Sequence, residues 1–509
     1  MTLARALAVA LSGVAGHLVE IEADLSAGLP GLVFTGLADT SVLQSRDRIR
    51  AALGNSGVPW PNRKITVALL PADLRKVGSR FDLALALAVL GCAEQIPSGA
   101  AADAVWIAEL GLDGRLRPVR GVLPSVLTAQ RAGVRRVVVS AGNAAEAGLV
   151  PGMDVRAAHD LAEVISWLRG EGPPLQAPDP ALDGEGASPD SDLADVAGQA
   201  TAKRALEVAA AGGHHLYLVG TPGAGKTMLA ERMPGLLPAL SDAAALEVTA
   251  VHSVAGLLAK HARLLRRAPL QAPHHTASVA ALVGGGSHLA RPGAISLAHH
   301  GVLFLDEAPE FSPRALDALR QPLESGRVVL HRGGGAVSYP ARFQLVLAAN
   351  PCPCAKPARA CTCPPQARRR YQQRLSGPLL DRIDVRVQVE PVAHVDLLTA
   401  SSGESSAEIA ARVAAARRCA ADRWRGTPWG VNAAVPGSVL RAAPWVLPRP
   451  VLGAAEEYLR RGEITARGFD RVLRLAWTLA DLAGRTVPVA DDVAEALYFR
   501  TGEGGSWAA

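Results

Sequence analysis

The segment Gly220-Thr221-Pro222-Gly223-Ala224-Gly225-Lys226-Thr227 fits the spacing G-x-x-x-x-G-K-[ST] at every fixed position. The apolar run His215-Leu216-Tyr217-Leu218-Val219 precedes it and Met228-Leu229-Ala230 follows, so it stands where a buried strand gives way to a helix, as a phosphate-binding loop requires. The glycines let backbone N–H groups turn inward and the new helix offers its positive end. Lys226 then reaches the β- and γ-phosphates and Thr227 can ligate Mg²⁺. A chain with this loop is expected to hold a nucleotide at the edge of an α/β sheet.

Downstream, Gly301-Val302-Leu303-Phe304-Leu305-Asp306-Glu307 is an apolar strand ending in two carboxylates. In this position Asp306 would hold Mg²⁺ through water, and Glu307 would orient and deprotonate the water that attacks in line. Asp195-Val196-Ala197-Gly198-Gln199, before a helix at Ala200 to Ala211, resembles the adenine-contacting start of AAA+ ATPases. That resemblance gives Asn350, at the end of the strand Phe343 to Ala349, the role of sensing the γ-phosphate. Ser376-Gly377-Pro378-Leu379-Leu380-Asp381-Arg382-Ile383-Asp384 resembles the arginine-finger segment of MCM helicases, with Arg382 as a finger offered to a neighbouring subunit. Ile464-Thr465-Ala466-Arg467-Gly468-Phe469-Asp470-Arg471 resembles the second sensor, with Arg467 contacting nucleotide, although Arg471 and Arg474 share much of its face.

The 509 residues suffice for about three domains. Residues 1–168 alternate strand-like and helix-like segments, an α+β domain. Leu110 to Gly121, with Ala129 to Val134, resembles the proteolytic domain of Lon proteases, the ribosomal protein S5 domain 2-like fold. The chemistry is missing, because the serine and lysine of those proteases are replaced by Gly78-Ser79-Arg80-Phe81-Asp82 and Gly121-Val122-Leu123-Pro124-Ser125. Ser79 is expected to cap a helix instead. Residues 169–192, rich in Pro, Gly and Asp, read as a flexible linker. Residues 193–395 are the ATPase core and 396–509 a helical lid.

Charge is distributed unevenly. Val248 to Leu305 contains no Asp or Glu but seven of the 13 histidines, and Ser325 to Leu380 is again free of acids while carrying Arg327, Arg332, Arg342, Lys356, Arg359, Arg368, Arg369, Arg370 and Arg374. With a net charge of +6, such stretches match a phosphate backbone, so DNA is the expected partner. Gly284-Gly285-Gly286 with Arg291-Pro292-Gly293 marks one hairpin tip, and Gly326 to Tyr339 a second hairpin. His274, His275, His299 and His300 are candidates to touch DNA. Cys352-x-Cys354 and Cys361-x-Cys363 put four soft ligands in one proline-studded loop, suited to structural Zn²⁺, with reduced thiols as the alternative.

Six cysteines in this length are no secreted disulfide framework. The apolar N-terminus runs without a break into the strand Leu18 to Asp24, so it reads as sheet and not as a leader. No stretch demands a membrane helix, and the cytoplasm is expected.

The phrases Ala272-Pro273-His274-His275, Pro292-Gly293-Ala294-Ile295-Ser296-Leu297-Ala298-His299 and Asn350-Pro351-Cys352-Pro353-Cys354 closely resemble the magnesium-chelatase-like AAA+ proteins of the YifB/ComM family, and the resemblance spans essentially the whole chain. It implies a homo-hexameric motor that uses ATP and Mg²⁺ and acts on single-stranded or branched DNA, as in branch migration during transformation. The alternative is the ATP-driven remodelling subunit of a metal-chelatase-like complex, working on a protein partner. This chain departs at His215, Ala355 and Trp477, where that family commonly has Asn, Gly and Arg.

Overall fold

Alternation of apolar residues from Ala4 to Ser26 produces two long strands, β1 (Ala4–Ser12) and β2 (Ala15–Ser26), which turn at Gly13 and pair antiparallel with Ala6 opposite Ile21 and Ala8 opposite Val19. In the computed structural model, which describes residues 3–178, 191–258, 262–286, 290–332, 335–356, 360–391 and 403–502, they form the middle of a seven-stranded sheet. Its other strands are β3 (Gly31–Thr35), β4 (Lys64–Leu70), β5 (Ala104–Ile107), β6 (Arg136–Ser140) and β7 (Asp154–Ala158), in the order β3-β4-β2-β1-β5-β6-β7. Helix α1 (Ser45–Asn55) is amphipathic, whereas α2 (Asp82–Cys92) is apolar all round because every residue from Leu83 to Leu90 is buried against the sheet. The expected linker starts later than residue 169: Leu175 is buried and Ala157 N–H donates to Gln176 O, so the chain as far as this is part of the front sheet. Residues 179–190 of that linker lie outside the described residues, as do Gly333 and Gly334 of the second hairpin and Lys260, His261, His288 and Arg359 of the acid-free stretches.

The second sheet is wholly parallel. It comprises β8 (Leu216–Gly220), β9 (Leu270–Gln271), β10 (Val302–Leu305), β13 (Gln344–Ala349) and β14 (Val385–Val389), ordered β9-β10-β13-β8-β14. β8, β10 and β13 are buried along their whole length, which is why each reads as a continuous apolar run without alternation. Helices α4 (Ala200–Gly212) and α5 (Lys226–Leu236) pack against it, and the hairpin β11 (Arg327–Arg332) and β12 (Gly335–Pro340) stands between β10 and β13 in the chain. This is a P-loop AAA+-like core. A helical C-terminal region follows, with α7 (Ser406–Arg423), α8 (Arg449–Arg460), α9 (Ala466–Leu482) and α10 (Ala490–Thr501) sharing one apolar core with α4 and α5. Among the described residues no helix is long and apolar enough to cross a membrane.

The two sheets are joined through α6 (Asp242–Ala255), which lies in the half with the parallel sheet but packs on α3 (Val122–Arg131) of the front half. Ala250 lies in one apolar cluster with Val9, Val105, Val122 and Val126. Gly121 N–H donates to Ser253 O at 3.3 Å, and Ser253 Oγ–H donates to the buried Glu146 carboxylate. Elsewhere the turn at Gly13 lies against Ser338 and Val337 of β12 so closely that a Cβ there would meet Ser338 O at 2.6 Å.

Two histidines secure the start of β13. His215 Nδ1 accepts from Leu345 N–H, and His299 Nδ1 accepts from Arg342 N–H, both at 3.0 Å. Both rings are therefore neutral, and burial pushes each down from an ordinary 6.5 to about 4. A depressed histidine favours the fold above the unfolded value and loses that contribution as the pH falls through about 6.5 toward 4, because the unfolded chain binds the protons first. The thermal midpoint is expected to drop by several degrees between about pH 7 and pH 5, with a few kcal/mol lost. Calorimetry at constant ionic strength tests this; a flat midpoint over that window would refute it.

Candidate active site

The glycine-rich loop connects β8 to α5 with Gly223 and Gly225 at φ +77° and +93°, where no side chain is comfortable. Gly220 is required for another reason: a Cβ would meet Val389 O of the adjoining strand at 2.3 Å. Lys226 is buried at the first turn of α5 and its Nζ donates to Gly220 O at 2.7 Å, Thr221 O at 2.9 Å and Asn350 Oδ1 at 3.2 Å. Burial pulls its ammonium below the ordinary lysine range, while the carboxylates of Asp306 and Glu307 hold it up. Thr227 Oγ1–H donates to Asp306 Oδ2 at 2.6 Å. Lys226, Thr227, Asp306, Glu307 and Asn350 thus converge at the carboxyl edge of three parallel strands, where α/β sheets bind ligands.

The residues fit the groups that the resemblance implies. Open glycine backbone, a lysine over the loop and a hydroxyl beside a carboxylate form a phosphate cradle, and Thr227 and Asp306 would hold Mg²⁺. Gln199, the N-cap of α4 in the left-handed region at φ +60°, donates from Nε2 to Ala224 O and Glu390 O and braces the loop from behind. Glu307 is also left-handed, at φ +50°, a conformation that costs a non-glycine residue roughly 1–3 kcal/mol and is concentrated at functional sites.

The structure separates the two arginines from this cluster. Arg382 and Arg467 line one cavity of about 210 Å³ with His215, Asp381, Asp384 and Arg471. His215 and Asp384 precede β8 and β14, so the cavity lies at the amino edge of the sheet, roughly 16 Å of strand from the phosphate loop. Arg467, expected to contact nucleotide, thus stands with Arg382 at the amino edge and away from the phosphate loop of its own subunit. Arg471 is tied to Asp384 and Arg474 to Val435 O, while Arg467 has a side chain 79% exposed, 3.6 Å from Asp381. Arg382 itself donates to Pro378 O and is paired with the exposed Glu324.

Cys352, Cys354, Cys361 and Cys363 come together, with all four sulfurs within 4.8 Å of one another and three separations of 3.2, 3.4 and 3.6 Å. A tetrahedron of sulfurs about 2.3 Å from zinc has edges near 3.8 Å, so the set fits the metal. Ala355 follows at φ +56°, which accounts for the glycine expected there. The other grouping, Glu247 with His299 and His300, is not suited to a metal. His299 Nδ1 already accepts a backbone proton, so its Nε2 must carry hydrogen toward Glu247 at 3.0 Å.

Several expectations are redirected. His299 is 1% exposed, so it cannot touch DNA, and His275 Nδ1 stands 3.1 Å from Glu307 Oε2, a pairing that sequence reasoning missed. Ser79 caps no helix: its hydroxyl donates to Glu109, and Arg80 reaches Ser125 Oγ at 3.2 Å, linking the two segments that stand in place of a Ser–Lys pair. Trp477 packs edge-on to Trp445 with the Arg423 guanidinium 4.4 Å from its ring, so this departure belongs to the core of the helical region.

Three family profiles match the chain: magnesium chelatase, subunit ChlI, over residues 192–397; subunit ChlI of Mg-chelatase over 21–143; and the ChlI C-terminal part over 403–500. The chain is 54% identical to Rv2897c of Mycobacterium tuberculosis, over 98% of this chain and 99% of that one. It is 40% identical to YifB of Escherichia coli, over 96% and 95% of the two chains. Competence protein ComM of Haemophilus influenzae is likewise 40% identical, over 98% of each.

Proposed function

The chain belongs to the YifB/ComM family of magnesium-chelatase-like proteins, a family that implies ATP and Mg²⁺, and from that premise we propose that it is a ring-forming, ATP-driven DNA motor, a helicase or branch-migration enzyme serving recombination or transformation. The geometry supports assembly into a ring. Arg382 and Arg467 lie at the sheet edge opposite Lys226, so a complete catalytic site needs the arginines of a neighbour. Within it, Lys226 and the loop N–H groups hold the phosphates, Glu307 takes the proton of the attacking water, and Asn350 keeps Lys226 and that water in register. Mg²⁺, when bound by Thr227 and Asp306, offsets phosphate charge.

The observation that carries the DNA reading is the hairpin β11–β12. It has no acidic residue, bears Arg327 and Arg332, and is followed within a few residues by β13, the strand that ends at Asn350. Arg327→Ala/Arg332→Ala is expected to keep basal ATP hydrolysis, lose stimulation by DNA, and reduce the salt slope of DNA binding by about two. Titration at two salt concentrations checks it, alongside sizing with ATP; an intact ring with unchanged affinity and slope rejects the reading. The second reading, remodelling of a protein partner, is favoured by the chelatase profiles and predicts that no form of DNA stimulates the ATPase. The Lon-like front half would serve as an accessory domain at the hairpin face, where Gly13 meets β12.

Structural zinc in the four-cysteine loop would brace the segment just after Asn350. Purified protein should carry one equivalent of zinc per chain, and Cys352→Ser/Cys361→Ser should carry none and lose thermal stability. Metal analysis decides; a zinc-free wild type that is equally stable in chelator removes the assignment.

A further inference from the structure

A second cavity, of about 290 Å³, lies between the four-cysteine loop and the helix Pro365–Gln372. Pro353 and Pro364 of the loop line it together with Ala367, Arg370, Tyr371 and Arg374, and none of these belongs to the cradle built on Lys226. The helix starts on Pro365, whose fixed φ suits a first turn, and from there to Leu375 only Tyr371 and Leu375 are buried. Its outer face is therefore Gln366, Arg368, Arg369 and Arg370, all exposed.

The two arginines of the cavity differ in what they are free to do. Arg374 is committed: its Nη1 donates to Glu310 Oε2 at 2.7 Å and to Pro309 O at 3.3 Å, and its guanidinium lies 6.0 Å from the centre of the Tyr371 ring. It fixes one wall and meets the carboxylate nearby. Arg370 has no ion pair or side-chain hydrogen bond among the described residues, so its whole fork of donors stands open beside the cavity. No Asp or Glu occurs from Ser325 to Leu380 to compete for it.

An open guanidinium beside walls of proline, alanine and tyrosine matches a ligand that is anionic at one end and flat and apolar at the other, as a phosphate with its base is. The volume stands at the lower end of the roughly 300–1,000 Å³ of ligand pockets, room for one such unit. In a duplex the base is paired and stacked and must be pulled out before it can enter, whereas a free strand offers it directly.

We propose that this cavity seats one phosphate-and-base unit of a single strand of nucleic acid, with Arg370 on the phosphate and the base against Pro353, Pro364 and the Tyr371 ring. This rests on the DNA-motor reading, but the site is separate from the hairpin β11–β12.

The test titrates the full-length protein with an oligothymidine strand, the same strand in a duplex, and an abasic strand of equal length, at two salt concentrations, for wild type, Arg370→Ala and Arg370→Lys. Thymidine monophosphate serves as competitor, and each ring is sized with ATP. Arg370→Ala should bind oligothymidine several-fold more weakly, with a salt slope lower by about 0.7, the loss of one phosphate contact on a single strand, while its duplex binding stays as in wild type. Arg370→Lys keeps the charge and should keep the slope. Wild type should prefer oligothymidine to the abasic strand, and Arg370→Ala should narrow that preference. If wild type binds none of the nucleic acids, the DNA reading falls and the site with it. If wild type binds the strand and Arg370→Ala equals it in affinity and slope, the site alone is overturned and the hairpin keeps the DNA reading. Equal binding of the abasic strand by wild type, displacement of the strand by thymidine monophosphate at matching concentration, or a ring that comes apart in Arg370→Ala also overturns it: the cavity would then seat no base, hold a free nucleotide, or grip a neighbouring subunit.

Discussion

Glu307→Gln should bind ATP about as tightly as the unaltered protein and hydrolyse it roughly 10²–10⁴-fold more slowly. The cradle of Lys226, Thr227 and the loop glycines does not involve the Glu307 side chain, so binding survives, whereas an amide cannot accept the proton of the attacking water. Lys226→Ala should lose binding itself, because the truncation removes the ammonium that reaches Gly220 O, Thr221 O and Asn350 together. Fluorescent-nucleotide binding and phosphate release, measured on the same preparations, separate the two. Wild-type turnover by Glu307→Gln would remove Glu307 from the chemistry.

Arg382→Ala should cost on the order of 10³-fold in turnover, and the activity should return in part when this variant is mixed with Lys226→Ala subunits. With random assembly, about a quarter of the interfaces in a mixed ring pair an intact loop with an intact finger, and only those can work. Arg467→Ala should complement in the same way, since Arg467 shares the Arg382 cavity at the amino edge of the sheet. An arginine serving its own subunit's loop could not be rescued by a neighbour. In the isolated subunit Glu324 holds Arg382, an ion pair that a finger reaching a neighbour's phosphate would have to give up. No activity above that of the separate variants, with subunit exchange demonstrated, would leave the neighbour's role without support.

The phosphate loop, the acidic strand end and Asn350 were legible because each joins a short motif to a fully apolar strand, and a fully apolar strand flanked by helices has few places to go but the middle of a parallel sheet. The cysteine grouping was legible from spacing alone. The edge of the sheet at which Arg467 stands was not, because a motif marks an arginine without placing it. That became visible only when β8 and β14 proved parallel, which sets His215 and Asp384 at one edge and the loop at the other. His275 was hidden for a related reason: its partner is settled by the register of the two-residue strand β9, too short to leave a periodic signal. The tie between Glu146 and Ser253, 107 residues apart in the chain, gives no local sign at all.

Helix α6 has one flank in each half of the molecule. On one flank Glu247 is bonded to His299 and His300, which immediately precede the strand carrying Asp306 and Glu307, and Arg342 N–H ties His299 to the start of the strand carrying Asn350. On the other, Ala250 and Ser253 are sunk into the front half. A close-packed contact of this kind moves as one piece. Any displacement of the parallel strands along their axes is thus handed to a seven-stranded body far larger than the helix that carries it, so the front half rides on the parallel-sheet half as a lever arm rides on its axle.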